Sequence, residues 1–178
     1  MSTPENGNGA PRASGHLARL NRVRDDRLAE RTIELRVPGW EGPAGDGLAV
    51  RLRALPFVEI QPLSRRMVAG LIDESADPEV ELRAACDALS KACVDIHGTS
   101  AEGAPWALDD APAPEPCRFD QRTCELLQLP EPRSAREAVL LVYRGNRFAV
   151  MDAWGELATF TRGGQEDVTE RLLGEART

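Results

Sequence analysis

The side chains best suited to metal binding or catalysis are the four cysteines and one of the two histidines. Cys86 and Cys93 are seven positions apart, and Cys117 and Cys124 repeat that spacing. Neither pair has the close spacing of a structural zinc site. On a helix, Cys93 and His97 would be neighbours and could form half of a metal site or a thiol–base pair. The alternative is that Cys86 and Cys93 are small core residues and that His97 lies near a helix end.

Other motifs that would carry a reaction are missing from the sequence. The run from Asp73 to Asp77 begins like a calcium loop, but Pro78 replaces the required glycine and Ala84 stands at the position of the last carboxylate ligand. There is no glycine-rich phosphate loop and no dinucleotide fingerprint. Any histidine-based catalytic set would depend on His97. We therefore predict a protein that is not an enzyme and that holds no metal and no cofactor.

Composition limits the classes of partner. A chain of 178 residues makes one domain with or without flexible arms. Its net charge of -7 argues against a nucleic-acid partner, since phosphate contacts need an excess of basic side chains. No apolar run is long enough for a bilayer, so we expect no membrane partner. The N-terminus lacks a signal-peptide core, which predicts a cytoplasmic protein with reduced cysteines.

The hydrophobic periodicity predicts a mainly α fold, namely a helical domain with an N-terminal β-hairpin and a disordered arm over residues 1–16. Residues 17–31 read as a charged amphipathic helix, either lightly docked on the domain or acting as a partner-binding arm. Residues 32–97 hold the hairpin and further helices, one of them over 62–72. Residues 98–117 form an acidic, proline-rich loop, and residues 118–175 complete the same domain with helices.

The hairpin is predicted by two alternating runs, Thr32–Val37 and Leu48–Ala54, which a long Pro/Gly-rich loop with Trp40 connects. A central helix from Asp77 to Gly98 follows. Asp77 is a suitable N-cap for this helix, and Pro78 is suitable in its first turn. Gly98 is a suitable residue to end it. One apolar face recurs at three and four positions: Leu82, Ala85, Cys86, Leu89, Ala92, Cys93 and Ile96.

In the last third of the chain, Asp120 and Ser134 are predicted N-caps, and Glu137 completes a capping box with Ser134. Arg144-Gly145-Asn146 should break the helix that Ser134 begins. The next helix, from about Arg147 to Thr161, is predicted to end at Gly163-Gly164, with a short helix after it. Its inward side would carry Phe148, Met151, Trp154, Leu157 and Ala158.

The order of these segments resembles one protein family. The segments that carry the resemblance are, in order, the charged helix, residues 33–40, residues 48–57, the helix with residues 85–96, the proline-rich loop, Phe119-Asp120, residues 135–139, Gly145-Asn146, Trp154 and Gly174-Glu175. This order is similar to that of tail assembly chaperones of long-tailed, siphovirus-type phages of high-GC bacteria. The likeness extends over roughly residues 17–175, and none of its motifs is catalytic.

The resemblance implies a role in assembly. Such chaperones bind the tape measure protein and keep it soluble while the tail tube polymerises around it. They act in the host cytoplasm and are absent from the mature virion. Many occur in two lengths because of a programmed frameshift, and this chain would be the short form. The implied partners are the tape measure protein, the longer frameshifted form and the tail tube protein.

Apolar residues outside the predicted core are the candidate contacts for such a client. They are Leu17, Leu20, Val23 and Leu28 on the amphipathic helix, and Trp40 in the hairpin loop. An apolar helix face can lie in a groove of a partner, or accept a helix itself. Two other classes remain open: a structural tail-completion or connector component of the virion, and a small host-derived regulator or toxin-system partner.

Overall fold

The computed structural model describes residues 22–56, 59–60, 78–111 and 114–175. Its centre is a four-stranded antiparallel sheet with strands in the order β1–β2–β3–β4. The strands are β1 (Thr32–Val37), β2 (Gly47–Arg53), β3 (Cys93–Thr99) and β4 (Pro105–Trp106). The fold is therefore α+β, and the prediction of a mainly α fold is wrong. The predicted arm over 1–16 and the predicted helix over 62–72 lie outside the described residues.

The helices pack on one face of this sheet. In register, Leu35 of β1, Val50 of β2 and Ile96 of β3 lie side by side, and all three belong to the main core. Leu89 and Val139 reach the same core from two helices. The described helices are α1 (22–29), α2 (Pro78–Ala92), α3 (Gln121–Leu126), α4 (Ala135–Val142) and α5 (Arg147–Glu175).

The predicted hairpin is confirmed, because β1 and β2 pair antiparallel from Thr32 opposite Arg53 to Val37 opposite Leu48. It is not an isolated hairpin laid on helices, however. A third strand, β3, continues the sheet beyond β2. This extra strand satisfies the second edge of β2, which a two-stranded hairpin would leave open.

The central helix is shorter than predicted, since α2 ends at Ala92 and Cys93–Thr99 is strand β3. The spacing of Cys93 and Ile96 also fits a helix, because the helical period and the strand period of apolar residues cannot be distinguished over so short a segment. The role predicted for Gly98 is also wrong. Gly98 lies in β3 opposite Trp106 of β4, and a side chain there would overlap the indole ring of Trp106.

The predicted acidic loop over 98–117 contains the end of β3 and the short strand β4, and its remainder is held by ion pairs. Arg122 of α3 contacts Asp109 at 2.6 Å and Glu115 at 3.1 Å. Cys117 accepts a hydrogen bond from the N–H of Ile96, at 2.8 Å, through its carbonyl oxygen. The acidic residues of the loop are thus partly neutralised by a base from the following helix, and the loop returns along β3.

Two of the three predicted N-caps are confirmed, and the third, Asp77, lies outside the described residues. The Asp120 carboxylate accepts a hydrogen bond from the N–H of Thr123 at 2.9 Å, and the Ser134 hydroxyl accepts one from the N–H of Glu137 at 3.2 Å. Glu137 reaches back to the N–H of Arg133, one residue before the cap. The predicted break after α4 is also present, with positive φ at Arg144 and Gly145.

The last helix runs through the glycine pair that was predicted to end it, since α5 is continuous over 29 residues. Gly164 is buried beneath α1. A Cβ at Gly164 would lie 3.2 Å from Cδ2 of Leu28. Leu28 is 0 % exposed and packs with Ala54 and Val168 in a small second core. Gly164 therefore serves the close approach of α1, and the two-helix prediction is wrong.

This contact predicts a difference between two adjacent glycines. Gly164→Leu should lower the free energy of unfolding by about 1–3 kcal/mol, because the new side chain overpacks the site of Leu28. Gly163→Leu should raise it by roughly 0.5–1 kcal/mol, since Gly163 has open space and leucine favours the helix. Urea denaturation followed by circular dichroism measures both. Equal changes in the two variants would contradict the packing of α1 on α5.

Candidate functional site

The structure separates the thiol and the imidazole that sequence spacing had brought together. Cys93 is opposite Leu52 and His97 is opposite Ala49. Leu52 and Ala49 are three positions apart in β2 and so lie on opposite faces, since side chains alternate along a strand. A register shift between Arg51 and Leu52 puts Cys93 opposite Leu52, although Cys93 and His97 are four positions apart in β3. Cys93 therefore lies on the helix-covered face of the sheet and His97 on the other face. The two do not form a metal half-site or a thiol–base pair.

The cysteines are core residues, as the alternative interpretation of Cys86 and Cys93 predicted. All four are free and buried. Burial raises the pKa of the Cys86 thiol to about 11 and that of the Cys93 thiol to about 12. It also raises the pKa of Cys117 and Cys124. At neutral pH these thiols are protonated, and a protonated thiol is a weak nucleophile.

His97 lies within a cluster of charges and not near a helix end. Its Nε2 is 3.2 Å from Oε2 of Glu34, and its Nδ1 is 3.3 Å from Oδ2 of Asp95. The cluster borders a small cavity of about 120 Å³ under the acidic loop. In the ranges that the structure describes, no three histidine, cysteine or acidic side chains are placed to hold a metal ion. The cluster instead joins β1 to β3 across the polar face of the sheet.

A larger concavity lies between strand β1 and helix α5, and we call it the β1–α5 groove. It encloses about 540 Å³. Its lining is mostly apolar, with one pair of carboxylates, and consists of Ile33, Asp152, Gly155, Glu156, Thr159 and Phe160. β1 is an edge strand of the sheet, so the groove is open along this side. Gly155 deepens it, because nothing lies within 4 Å of where its Cβ would be.

An exposed aromatic residue extends this surface along α5. Phe148 is 85 % exposed, so the prediction that it packs inward is wrong. Asp152, Gly155 and Thr159 follow it at four, seven and eleven positions, which places them on the same face of the helix. Contiguous apolar surface, unlike a single exposed side chain, often marks an interaction site. Because Phe148 lies one helical turn from Asp152 of the groove, we treat Phe148 and the β1–α5 groove together as the candidate binding surface.

The contact residues predicted from sequence are placed differently. Leu17 and Leu20 lie outside the described residues. Val23 is half-buried, and Leu28 is fully buried in the second core. Trp40 donates a hydrogen bond from Nε1 to the carbonyl of Val142 at 2.7 Å. Leu28 and Trp40 thus make contacts within the chain, and the binding of a client by this set stays a prediction.

The β1–α5 groove was missed from sequence because its two sides are far apart in the chain. Ile33 had been recognised as an apolar position of the hairpin, but no pattern pairs it with Phe160. The available signals were the glycine in the middle of α5 and the aromatic residue at its start. A glycine inside a helix costs about 1 kcal/mol relative to alanine, and therefore indicates a packing or functional reason.

The chain matches no protein-family model, no curated protein and no solved structure. Within the residues that the structure describes, none of the helices combines the length and the apolar character needed to cross a bilayer. The candidate site is consequently defined by its geometry: an open apolar groove beside an exposed phenylalanine, with two carboxylates between them.

Proposed function

We propose that this protein is a tail assembly chaperone of a long-tailed phage, which binds the tape measure protein and keeps it soluble until the tail tube encloses it. The observation that carries the proposal is the β1–α5 groove with Phe148 beside it, an apolar surface open to solvent. The order of sequence motifs supports the same role by resemblance. Client binding takes place in the host cytoplasm, and the chaperone leaves before the virion is complete.

The physical basis is the covering of apolar helix faces. A long helical client exposes such faces until its own partners assemble, and exposed apolar faces aggregate. A groove that accepts an amphipathic helix removes the face from water and from other copies of the client. The net charge of -7 keeps the resulting complex soluble. This role needs no bond-making residues in the chaperone.

Co-expression with the tape measure protein tests the proposal. We expect most of the client in the soluble fraction when the chaperone is present, and in the pellet when it is absent. Size-exclusion chromatography should then show the two proteins in one complex. A client that is equally insoluble in both cases would refute the proposal. Stoichiometric amounts of the chain in purified virions would indicate a structural tail component instead.

The N-terminal helix is the second surface to test. Replacing Leu20 and Val23 with serine should reduce client solubility if the predicted amphipathic segment over residues 17–31 binds the client, because the change removes two residues of its predicted apolar stripe. The soluble fraction of the client in co-expression is the measurement. Unchanged solubility would exclude the helix as a contact and leave the β1–α5 groove as the binding surface.

A further inference from the structure

We infer that the β1–α5 groove and Phe148 select one chemical class of partner segment: an amphipathic helix with basic residues between two apolar anchors. The inference rests on the proposed function and specifies which segments of the client the chaperone recognises. It is carried by the spacing of the apolar contacts, by the small side chains between them and by two carboxylates that form no ion pair with any described residue.

The apolar contacts lie at the two ends of the surface. Phe148 is at one end and Phe160 is at the other, and Ile33 of β1 also lines the groove. Phe148 and Phe160 are twelve positions apart in α5, a rise of about 18 Å at 1.5 Å per residue. A partner helix that lies along α5 therefore meets both ends with side chains about eleven to twelve positions apart. Eleven positions are close to three turns, so both anchors share a face.

The middle of the surface favours the close approach of a helix. Gly155 has no side chain, and Thr159 has a short one. Interaxial distances between packed helices depend on the side chains at the contact, and small residues permit the shorter distances. A strand would instead add to the edge of β1 through backbone hydrogen bonds. The exposed face of α5 has no free backbone groups to pair with a strand, which favours a helix as the partner.

The charges between the apolar ends are negative and available. Asp152 and Glu156 are one helical turn apart, and both are exposed. In the described part of the chain neither forms an ion pair. The guanidinium of Arg31, at the far end of the groove, lies 5.7 Å from the ring centroid of Phe160 and is paired with Asp167 at 2.7 Å. An approaching helix therefore meets two carboxylates that are not paired with a basic side chain of the described residues.

A basic partner helix fits this arrangement for two reasons. Lysine or arginine between the anchors would pair with Asp152 and Glu156, while the aliphatic stems cover the apolar lining. A helix with glutamate or aspartate at the same positions would bring like charges together and would be rejected. Apolar contact thus provides the affinity of this surface, and charge complementarity makes it selective for basic helices over acidic ones.

Synthetic peptides and the full chain provide the test. One helix-forming peptide of about 22 residues carries leucine anchors eleven positions apart and arginine between them; a second has glutamate in place of arginine. Fluorescence anisotropy should show the arginine peptide binding at least about tenfold more tightly. The preference should fall with added salt, because exposed charges are screened. A third peptide, with one leucine replaced by serine, should bind more weakly than the first.

The matched variants are two double substitutions in the same helix. Asp152→Asn with Glu156→Gln should reduce the preference for the arginine peptide to about threefold or less. Glu166→Gln with Glu170→Gln removes the same number of charges outside the groove and should leave the preference unchanged. The inference is overturned if both peptides bind equally, if both double variants act alike, or if an alternating strand-forming peptide binds best. Client solubilisation in co-expression is independent of these outcomes, so it reports separately on the proposed function.

Discussion

Gly155→Arg is expected to abolish solubilisation of the client without weakening the fold. Gly155 lies on the open side of α5, where nothing lies within 4 Å of the position of a Cβ. Arginine would fill the β1–α5 groove, and its positive charge would offset the negative charges of Asp152 and Glu156. It would also raise the stability of the helix by roughly 0.5–1 kcal/mol, because glycine is a poor helix former. Loss of function and gain of stability would therefore occur in one variant.

Gly163→Arg is the matched control for this variant. Gly163 lies in the same helix, also has open space around its Cβ position, and does not line the groove. We expect wild-type client solubility for Gly163→Arg and a client almost entirely in the pellet for Gly155→Arg. Thermal melts of the isolated variants check that both are folded. If the two variants solubilise the client equally, the groove is not the binding surface.

The second large effect is loss of stability at high pH. The pKa of Cys86 is raised from 9.0 to about 11 and that of Cys93 from 9.0 to about 12 by burial. Since the folded-state pKa values are raised, the native state keeps protons that the unfolded state releases. The stabilisation is complete below about pH 9 and declines as the pH rises toward the folded values. Burial raises the pKa of Tyr143 as well, which adds to the decline.

The size of this effect follows from linkage. Each thiol contributes about 1.4 kcal/mol per pH unit between its unfolded and folded pKa values. From about pH 9 to about pH 11 the two thiols together cost roughly 5 kcal/mol, which is comparable to the whole stability of many small domains. Urea denaturation under reducing conditions, repeated across this pH range, measures the free energy of unfolding directly.

A double variant, Cys86→Ala with Cys93→Ala, serves as the control for the alkaline transition. Its stability near pH 8 will be lower because two core side chains are shortened. The informative quantity is the slope against pH, which we expect to become clearly shallower while Cys117, Cys124 and Tyr143 still contribute. An unchanged slope would mean that other groups titrate in this range and that these thiols ionise equally easily in both states.

Local features of this protein were determined by its sequence alone. Asp120 and Ser134 cap α3 and α4 as predicted, because a cap satisfies N–H groups only two or three residues away. The break at Arg144-Gly145 depends on local backbone conformation, and the hairpin on alternation within two short runs. The burial of Cys86 and Cys93 followed from their residue type and from an apolar pattern. Each of these depends on neighbours in the chain.

Tertiary structure decided the features that depend on distant partners. Cys93–Thr99 became a strand because β2 offered it a hydrogen-bonding edge, although its spacing also suited a helix. Gly163-Gly164 did not end α5, because Gly164 accommodates Leu28 of α1. Phe148 and Trp154 share a helix and an apolar character, yet one is exposed and the other is core. The β1–α5 groove is lined by Ile33 from one segment and Phe160 from another, so its shape comes from packing between segments that are remote in sequence.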